Sequence, residues 1–304
     1  MDSFYISYDE PNKEENWRQI QGKCPGVQRV DGVEGFNNAY QECARRSKTE
    51  RFFTIDGDNV LLDIRLGEGL TDELLQTDYI FSWSAENSIN GLAYGNGGVK
   101  NWPRSVVIAM KSHESAGDER SSVDFCFSYK YFQMPQVLSR SVIDKSPYQA
   151  FRAGFREGVK MTLVRGERLL LDPDNLSSGF HELVSDCNKE RLKIWCSIGR
   201  DRPFGKWAIL GARLGCSKVL LEDFPMGKIR DYRWFDLYWK NEIESEYLRG
   251  LLQEEQLEHD LKRLKENLNE NLDLGLVDFS EEQSLFFKSV YFNRPRYGLM
   301  FDDL

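Results

Sequence analysis

Arg51-Phe52-Phe53-Thr54-Ile55-Asp56-Gly57-Asp58-Asn59-Val60-Leu61-Leu62 is the stretch on which the predicted fold depends. An apolar run ends in Asp-Gly-Asp, which predicts a buried strand with two carboxylates at its carboxyl end. The glycine lets the backbone turn tightly. Carboxylate oxygens are the ligands that Mg²⁺ and Mn²⁺ prefer, and such sites often share the ion with substrate phosphates. The same tripeptide is also ordinary turn chemistry after a strand, so this stretch alone leaves both interpretations open.

The segments before this stretch alternate between two kinds of pattern. Residues 4–8 and 26–31 have the composition of strands, whereas residues 16–21 and 35–47 have helical patterns. Strands that alternate with helices over so short a distance predict a mostly parallel sheet with helices on its faces. The sequence therefore predicts an α/β, Rossmann-like fold.

The carboxyl ends of these predicted strands carry polar side chains. Parallel strands bring their carboxyl ends to one edge of the sheet, and ligands bind beyond that edge in open α/β folds. This convergence favours a metal-and-nucleotide site over a simple turn. The residues expected at this edge are Ser7, Tyr8, Asp9, Asp31, Asp56 and Asp58.

A Gly- and Asn-rich stretch at residues 86–104 follows the next predicted strand, 77–84. Its four glycines lie among asparagines and aromatic residues, which predicts a loop that can follow a ligand closely. It matches neither the Walker pattern nor GxGxxG. A plain connector is the alternative interpretation. Residues 105–110 and 123–129 are predicted to be further strands.

Two features in the second half of the chain have both a structural and a functional interpretation. Ser146-Pro147 predicts the start of a helix, on which Arg152, Arg156 and Lys160 form one basic stripe. The stripe is either a solvated face or a contact for pyrophosphate or nucleic acid. Asp201 is either the N-cap of the next helix or a general base beside a cleft.

Composition limits the class of protein. The chain has 304 residues, of which 40% are hydrophobic and 29% charged, as expected for a packed globular protein. A net charge of −9 argues against a general nucleic-acid coat protein but not against one local basic patch. The six cysteines have no zinc-type spacing, so reduced thiols are expected. With no predicted membrane span or signal peptide, we expect a cytoplasmic protein.

The predicted domain organisation has two parts. Residues 1–225 are predicted to form the catalytic domain, and residues 226–304 a helical C-terminal extension that packs on it or caps it. Within the extension, residues 231–271 form a long, charged helical region whose role the sequence does not indicate.

Several stretches resemble glycosyltransferases of the GT-A fold, and more narrowly the phage-encoded TET-associated DNA glycosyltransferases. The resemblance covers about the first 215 residues and omits the C-terminal third. The stretches that carry it are FYISYDEPN at 4–12, RVDGVEG at 29–35, FTIDGD at 53–58, INGLAYGNGGVK at 89–100, YQAFRAGFRE at 148–157 and PFGKWAILGAR at 203–213.

This resemblance implies an inverting enzyme that transfers a sugar from a nucleotide-sugar, of the UDP-sugar type, in the presence of Mn²⁺ or Mg²⁺. The acceptor would be the hydroxymethyl group of 5-hydroxymethylcytosine, or of a related pyrimidine, in phage DNA within the host cytoplasm. The modification would protect that DNA from host nucleases. A target base in duplex DNA would have to be flipped out. A glycan, lipid or protein acceptor and a non-enzymatic binding module are the alternatives.

The resemblance also implies a role for each matching residue. Asp58 would bind the metal directly, and Asp56 would contact the donor ribose or a metal-bound water. Asp201 would be the general base. A third metal ligand is not evident, and the candidate His181 is a lone histidine of the kind that is more often structural. The donor would contact Ser7, Tyr8, Asp9, Asp31, Asn90, Gly97 and Lys100, and the DNA would contact Arg152, Arg156, Arg200 and Arg202.

Overall fold

The computed structural model describes residues 1–63, 65–110, 130–169, 173–222, 224–245, 253–291 and 298–299. The chain divides into two compact units. The first comprises Met1–Ala116, Phe125–Ile143 and Phe292–Leu304, and the second comprises Gly117–Asp124 and Asp144–Tyr291. The predicted boundary between residues 225 and 226 falls inside the second unit, and the division into a catalytic domain and an extension stays a prediction.

The first unit is built on one sheet whose strands follow the order β2-β1-β3-β6-β5-β7-β4, with β8 paired to β7. Helices accompany the sheet, so the unit is α/β as predicted and consistent with a Rossmann-like fold. The strands are β1 (Asp2–Ser7), β2 (Gln28–Asp31), β3 (Arg51–Asp56), β4 (Asn59–Leu61), β5 (Ile80–Asn87), β6 (Ala93–Pro103), β7 (Tyr131–Ser141) and β8 (Gly298–Leu299). The helices are α1 (Lys13–Lys23), α2 (Phe36–Arg46), α3 (Asp72–Leu75) and α4 (Arg104–Ala109).

The sheet is mixed, so the prediction of a mostly parallel sheet is wrong. Strand β1 is parallel to β2 and β3, and β5 is parallel to β7. Strand β6 is antiparallel to both of its neighbours, β3 and β5. The physical reason is the short connection between β5 and β6, since a few residues can reverse the chain but cannot supply the crossover that a parallel strand needs.

The Gly- and Asn-rich stretch accounts for this difference. Most of it is the eleven-residue strand β6 and not the predicted loop, because strand propensity is weak compared with pairing to two neighbours. Residues 105–110, predicted to be a strand, lie mostly in α4. The predicted strand at 123–129 lies outside the described residues.

Both faces of the sheet are buried. Phe4, Phe52 and Trp102 belong to a core cluster that includes residues of α2 and α4. Tyr5 and Trp83 belong to a second cluster that includes Ile20 of α1. This alternation along β1 follows from the two-residue period of a strand, and it leaves the carboxyl ends of the strands as the place for polar groups.

In the part of the chain that the structure describes, the second unit is helical. Its helices are α5 (Pro147–Lys160), α6 (Leu176–Leu183), α7 (Asp186–Trp195), α8 (Gly205–Leu221), α9 (Tyr232–Tyr238), α10 (Gln253–Leu272) and α11 (Glu281–Val290), with a π-helical turn at Trp239–Glu244 and 3₁₀ turns at Pro173–Asn175 and Met226–Arg230. Helix α5 begins as predicted, because Ser146 Oγ accepts a hydrogen bond from Gln149 N at 3.1 Å. The described parts of 231–271 are helical, also as predicted. No described helix has the length and apolar character needed to cross a membrane.

Helices α5 and α8 pack at very short range through glycines on both. A Cβ on Gly154 would lie 1.9 Å from Ala208 O, and one on Gly158 would lie 2.2 Å from Ala212 O, one turn further along α8. A Cβ on Gly211 would lie 2.1 Å from Phe151 O of α5, and one on Gly215 would lie 2.3 Å from Phe155 O. Small residues spaced four apart on both helices therefore allow the two backbones to touch.

Candidate functional site

The carboxyl ends of β1, β2 and β3 meet at one edge of the sheet, as the sequence predicts. The strand register pairs Ser7 with Asp31, and Ile6 with Asp56. Ser7 Oγ donates a hydrogen bond to Asp31 Oδ1 at 2.6 Å. The structure therefore brings together three of the predicted residues from segments that lie far apart in the sequence.

Asp31 is an ionised carboxylate in a basic environment. Its Oδ1 lies 3.0 Å from Lys13 Nζ and 3.2 Å from a guanidinium nitrogen of Arg29. Partial burial acts to raise the pKa of Asp31, but the hydrogen bonds from Ser7 and Lys13 and the charge of Arg29 outweigh it and hold the pKa below its usual value. The edge thus contains a fixed negative charge flanked by two cations.

Tyr8 and Asp9 follow β1 directly and lie at the surface. The Tyr8 side chain is 40% exposed, and Asp9 is exposed as well. The main chain of Tyr8 is fixed, because its N–H donates to Glu10 Oε2 at 2.8 Å and its carbonyl accepts from Lys13 Nζ at 2.6 Å. Both side chains are accessible to a ligand from solvent.

Two side-chain hydrogen bonds fix the main chain of the Asp-Gly-Asp turn. Strand β3 ends at Asp56 and β4 begins at Asn59, so the turn occupies the predicted position. Gly57 O accepts hydrogen bonds from Tyr5 Oη at 2.8 Å and from Asn16 Nδ2 at 2.9 Å. Since β1 and α1 supply these two donors, the orientation of the turn depends on the tertiary fold.

Asp56 is paired with a lysine. Its Oδ2 accepts from Lys100 Nζ at 3.0 Å, and its Oδ1 accepts from Tyr40 Oη at 2.9 Å. The Lys100 side chain is only 4% exposed, and this buried cation compensates the carboxylate. Lys100, which was predicted to contact the nucleotide-sugar, therefore reaches the turn directly through its ion pair with Asp56.

Asp58 faces a set of neutral hydrogen-bond donors. Its Oδ1 accepts from Asn59 Nδ2 at 2.6 Å, and its Oδ2 lies 3.4 Å from Ser141 Oγ. The carbonyl of Asp58 accepts from Val142 N at 2.7 Å. These hydrogen bonds orient the Asp58 carboxylate at the end of the turn.

Glu10 is a site residue that the sequence analysis did not single out. A Cβ on Gly57 would lie 2.7 Å from the Glu10 carboxyl carbon, so the Glu10 side chain lies directly against the turn. Burial raises the pKa of Glu10 to about 7, the charges of Asp58 and Asp9 add to this increase, and the hydrogen bond from Tyr8 N opposes it. Its sequence signals were its position just after a strand that ends at the predicted edge and its place in the stretch FYISYDEPN at 4–12.

The donor set suits a divalent cation that is completed by a substrate. In the described ranges, no group of three or more His, Cys, Asp or Glu side chains is arranged to hold a metal ion. Mg²⁺ is commonly bound through one or two carboxylates together with substrate phosphates and waters. Asp58, with Glu10 beside the same turn, fits a site in which substrate phosphates and waters complete the coordination. It does not fit a site in which the protein supplies every ligand.

The remaining predicted donor residues lie in β6 and in the turn that precedes it. Gly97 lies where β6 passes β5, and a Cβ there would be 2.3 Å from Trp83 O, so this glycine is needed for strand packing. Asn90 is 1% exposed, and its Oδ1 accepts from Leu92 N at 3.1 Å. Its Nδ2 is buried without a hydrogen-bond partner.

Asp201 belongs to the second unit and does not cap a helix. Helix α8 begins at Gly205 with Phe204 as its N-cap and no side-chain cap, so the capping interpretation is wrong. Asp201 Oδ2 instead accepts a hydrogen bond from Lys288 Nζ of α11. Its Oδ1 is buried without a hydrogen-bond partner, which leaves one oxygen of the carboxylate unsatisfied.

His181, the candidate third metal ligand, also lies in the second unit. Its Nε2 lies 2.8 Å from Leu272 O. A carbonyl oxygen only accepts, so this nitrogen carries the proton and donates it. The contact ties α6 to the end of α10, which is a structural use of the histidine.

Three of the four arginines predicted to contact DNA already have contacts within the second unit. The Arg152 guanidinium carbon lies 3.7 Å from the ring centroid of Tyr232. Arg200 forms two hydrogen bonds with Glu258, at 2.5 and 2.8 Å, and Arg202 pairs with the buried Asp144 at 2.5 Å. Arg156 is half-buried on α5. The charges of Arg200 and Arg202 are therefore paired with carboxylates inside the unit, which weakens the predicted basic surface.

Comparison of the chain with known proteins adds no family. No protein-family model matches the sequence, and neither does any curated protein.

Proposed function

We propose that the chain is a metal-dependent glycosyltransferase with a GT-A-like first unit. It would transfer the sugar of a UDP-sugar to the hydroxymethyl group of 5-hydroxymethylcytosine, or of a related pyrimidine, in DNA. The C1–O bond to the diphosphate breaks, a bond forms between C1 and the acceptor oxygen with inversion, and the acceptor proton passes to a base. Asp201 is the residue proposed as that base, and a nucleoside diphosphate leaves.

One observation carries the proposal: the Asp-Gly-Asp turn lies at the same sheet edge as the Ser7–Asp31 pair. An ionised carboxylate beside a serine can bind the hydroxyl groups of a ribose, and the next strand presents the carboxylates that suit a diphosphate-bound cation. The two groups follow neighbouring parallel strands, as a nucleotide that extends along the edge requires.

A cation bound at Asp58 would neutralise the charge that develops on the leaving diphosphate. The remaining tasks fall to the side chains of the chain itself. Lys100 Nζ, buried against Asp56, would compensate that carboxylate and keep it in place beside the bound cation. Tyr5 and Asn16 hold the Gly57 carbonyl and thereby fix the direction in which Asp58 points.

The DNA acceptor rests on the resemblance of the six stretches and not on the geometry of the arginines. A glycan, lipid or protein acceptor is the alternative for the same donor chemistry. The net charge of −9 and the internal pairing of Arg200 and Arg202 favour this alternative over a large electrostatic DNA interface.

The test is mass spectrometry of nucleosides from hydroxymethylated DNA after incubation with Mn²⁺ and a panel of nucleotide-sugars. We expect one sugar mass to be added to hydroxymethylcytosine and no addition to unmodified DNA. Asp58→Asn should remove this activity, whereas Asp72→Asn, on the exposed first turn of α3, should retain it.

Two results separate the parts of the proposal. If the protein hydrolyses a nucleotide-sugar in an Asp58-dependent manner but modifies no DNA, the donor chemistry stands and the DNA acceptor is wrong. If Asp58→Asn has full activity, the metal role of this turn is wrong. If the pH–rate profile of the Asp201→Asn variant shows the full turnover of wild type, Asp201 is not the base.

A further inference from the structure

The Asn59 side chain is held by hydrogen bonds to two groups at the edge of the sheet. Its Nδ2 donates to Asp58 Oδ1 at 2.6 Å, and its Oδ1 accepts from Ser139 Oγ at 2.8 Å. Asn59 is 3% exposed and Ser139 is fully buried. The hydrogen bond from Ser139 selects the orientation of the Asn59 amide, because only the oxygen of that amide can accept it. The nitrogen must then point towards Asp58.

Gly98 provides the space for this amide. A Cβ on Gly98 would lie 2.2 Å from Asn59 Cγ and 2.3 Å from Asn59 Nδ2. Real Cβ atoms do not approach other atoms so closely, so any larger residue at position 98 would displace the Asn59 side chain. The space for Asn59 therefore exists because a residue nearly forty positions away has no side chain.

We propose that Asn59 is a positioning residue which orients the Asp58 carboxylate for a divalent cation, and that Ser139 and Gly98 hold Asn59 in place. This inference rests on the proposed metal role of Asp58. It adds Asn59 and Ser139, to which neither the sequence patterns nor the resemblance gave a role in the site, and it gives the second glycine of the Gly97-Gly98 pair a specific purpose.

The physical basis is the behaviour of ligands that are themselves hydrogen-bonded. A carboxylate that binds a metal through one oxygen gains from a donor that fixes its plane, and loss of such a partner commonly lowers metal affinity by about 10- to 100-fold. The hydrogen bond from Asn59 uses one lone pair of Asp58 Oδ1 and fixes the plane of the carboxylate. Ser141 Oγ lies 3.4 Å from Asp58 Oδ2.

The experiment measures Mn²⁺ binding to the full chain by the loss of the electron paramagnetic resonance signal of free Mn²⁺, with and without UDP. Catalysis is not needed for this measurement. We expect Asn59→Ala and Gly98→Ala each to weaken Mn²⁺ binding by at least tenfold. Ser139→Ala, which releases only the far side of the amide, should weaken binding by a smaller factor of about three.

Two control variants separate positioning from a loss of stability. Val107→Ala truncates a fully buried side chain of α4 and should lower the unfolding temperature while leaving the Mn²⁺ dissociation constant within twofold of wild type. Gly22→Ala lies at a helical glycine with nothing within 4 Å of the added Cβ. It should neither lower the unfolding temperature nor raise the Mn²⁺ dissociation constant. If Asn59→Ala or Gly98→Ala does not fold, the threefold weakening expected for Ser139→Ala decides the question.

The outcomes distinguish this inference from the proposed function. If wild type binds Mn²⁺, Asp58→Asn abolishes binding and the variants of Asn59, Gly98 and Ser139 bind as wild type, the positioning role is wrong and the metal site stands. If wild type binds no Mn²⁺ even with UDP, both are wrong. If the three variants weaken binding while Val107→Ala does not, the inference is supported.

Discussion

Replacing Glu10 by glutamine is expected to stabilise the first unit at neutral pH and above, and to have little effect near pH 4.5. The Glu10 carboxyl group lies against Gly57, and burial raises its pKa to about 7 from an ordinary value of 4.5. The folded state therefore retains a proton on Glu10 at pH values where the unfolded chain has released it.

The magnitude follows from this difference in pKa. Below pH 4.5 the carboxyl group is protonated in both states and carries no penalty. Between pH 4.5 and 7 the folded state binds more protons than the unfolded state, so stability falls by up to 1.36 kcal/mol for each pH unit. The free energy of unfolding should lose about 3 kcal/mol by pH 8. Glutamine keeps an oxygen to accept from Tyr8 N and has no charge to bury.

The assay is chemical denaturation of wild type and Glu10→Gln at pH 5, 6, 7 and 8 in the presence of a chelator. Hydrogen exchange of peptides from β1 and β3 assigns the transition to the first unit. The difference between the two proteins should grow with pH and level off above pH 7. Added Mn²⁺ should reduce the difference, because a cation at the turn favours the ionised carboxylate.

Two results would refute this reasoning. One is a difference in stability that stays constant from pH 5 to pH 8, which would mean that Glu10 has an ordinary pKa. The other is a variant that is less stable than wild type at pH 8, which would mean that the ionised carboxylate has a partner that stabilises it.

Three further predictions concern packing and buried polar groups. Arg213→Met should destabilise the second unit by about 2–4 kcal/mol in denaturant unfolding, because the buried guanidinium donates to Asp278 and to the carbonyls of Cys196 and Leu261. Asp278 keeps its pair with Lys265, but the two carbonyls lose this donor; a loss under 1 kcal/mol would contradict this. Gly154→Ala should lower the unfolding temperature by several degrees, because its Cβ would meet Ala208 O at 1.9 Å; an unchanged temperature would show that α5 and α8 can separate without cost. Ser82→Ala should raise stability by about 1 kcal/mol, because its fully buried hydroxyl has no hydrogen-bond partner and removing it ends that penalty; a loss would mean that a buried water or ligand uses the hydroxyl.

Local sequence patterns predicted the elements whose signals lie within a few residues. The strand that ends at Asp56, the helix that begins at Pro147 and the helical character of the described parts of 231–271 all follow from apolar periodicity and capping. The meeting of Ser7, Asp31 and Asp56 was predictable as well, because parallel strands place their carboxyl ends together.

Partners that are distant in the sequence were not predictable. Lys100 faces Asp56 because β6 pairs antiparallel with β3, and the Gly- and Asn-rich composition of β6 indicated a loop. Asp201 pairs with Lys288, nearly ninety residues away, whereas the local pattern left a helix cap and a general base as the two interpretations. In each case a non-local contact outweighed a local preference.

The sequence by itself determined that the chain is α/β, that two carboxylates follow a buried strand, and that glycine separates them. These features depend on residue type and short spacing. The tertiary structure alone decided that the sheet is mixed, that Glu10 lies against Gly57, and that Asn59 fits against Gly98 to hold Asp58. The physical reason is that strand pairing and close packing join atoms across long loops, and no local pattern encodes which atoms those will be.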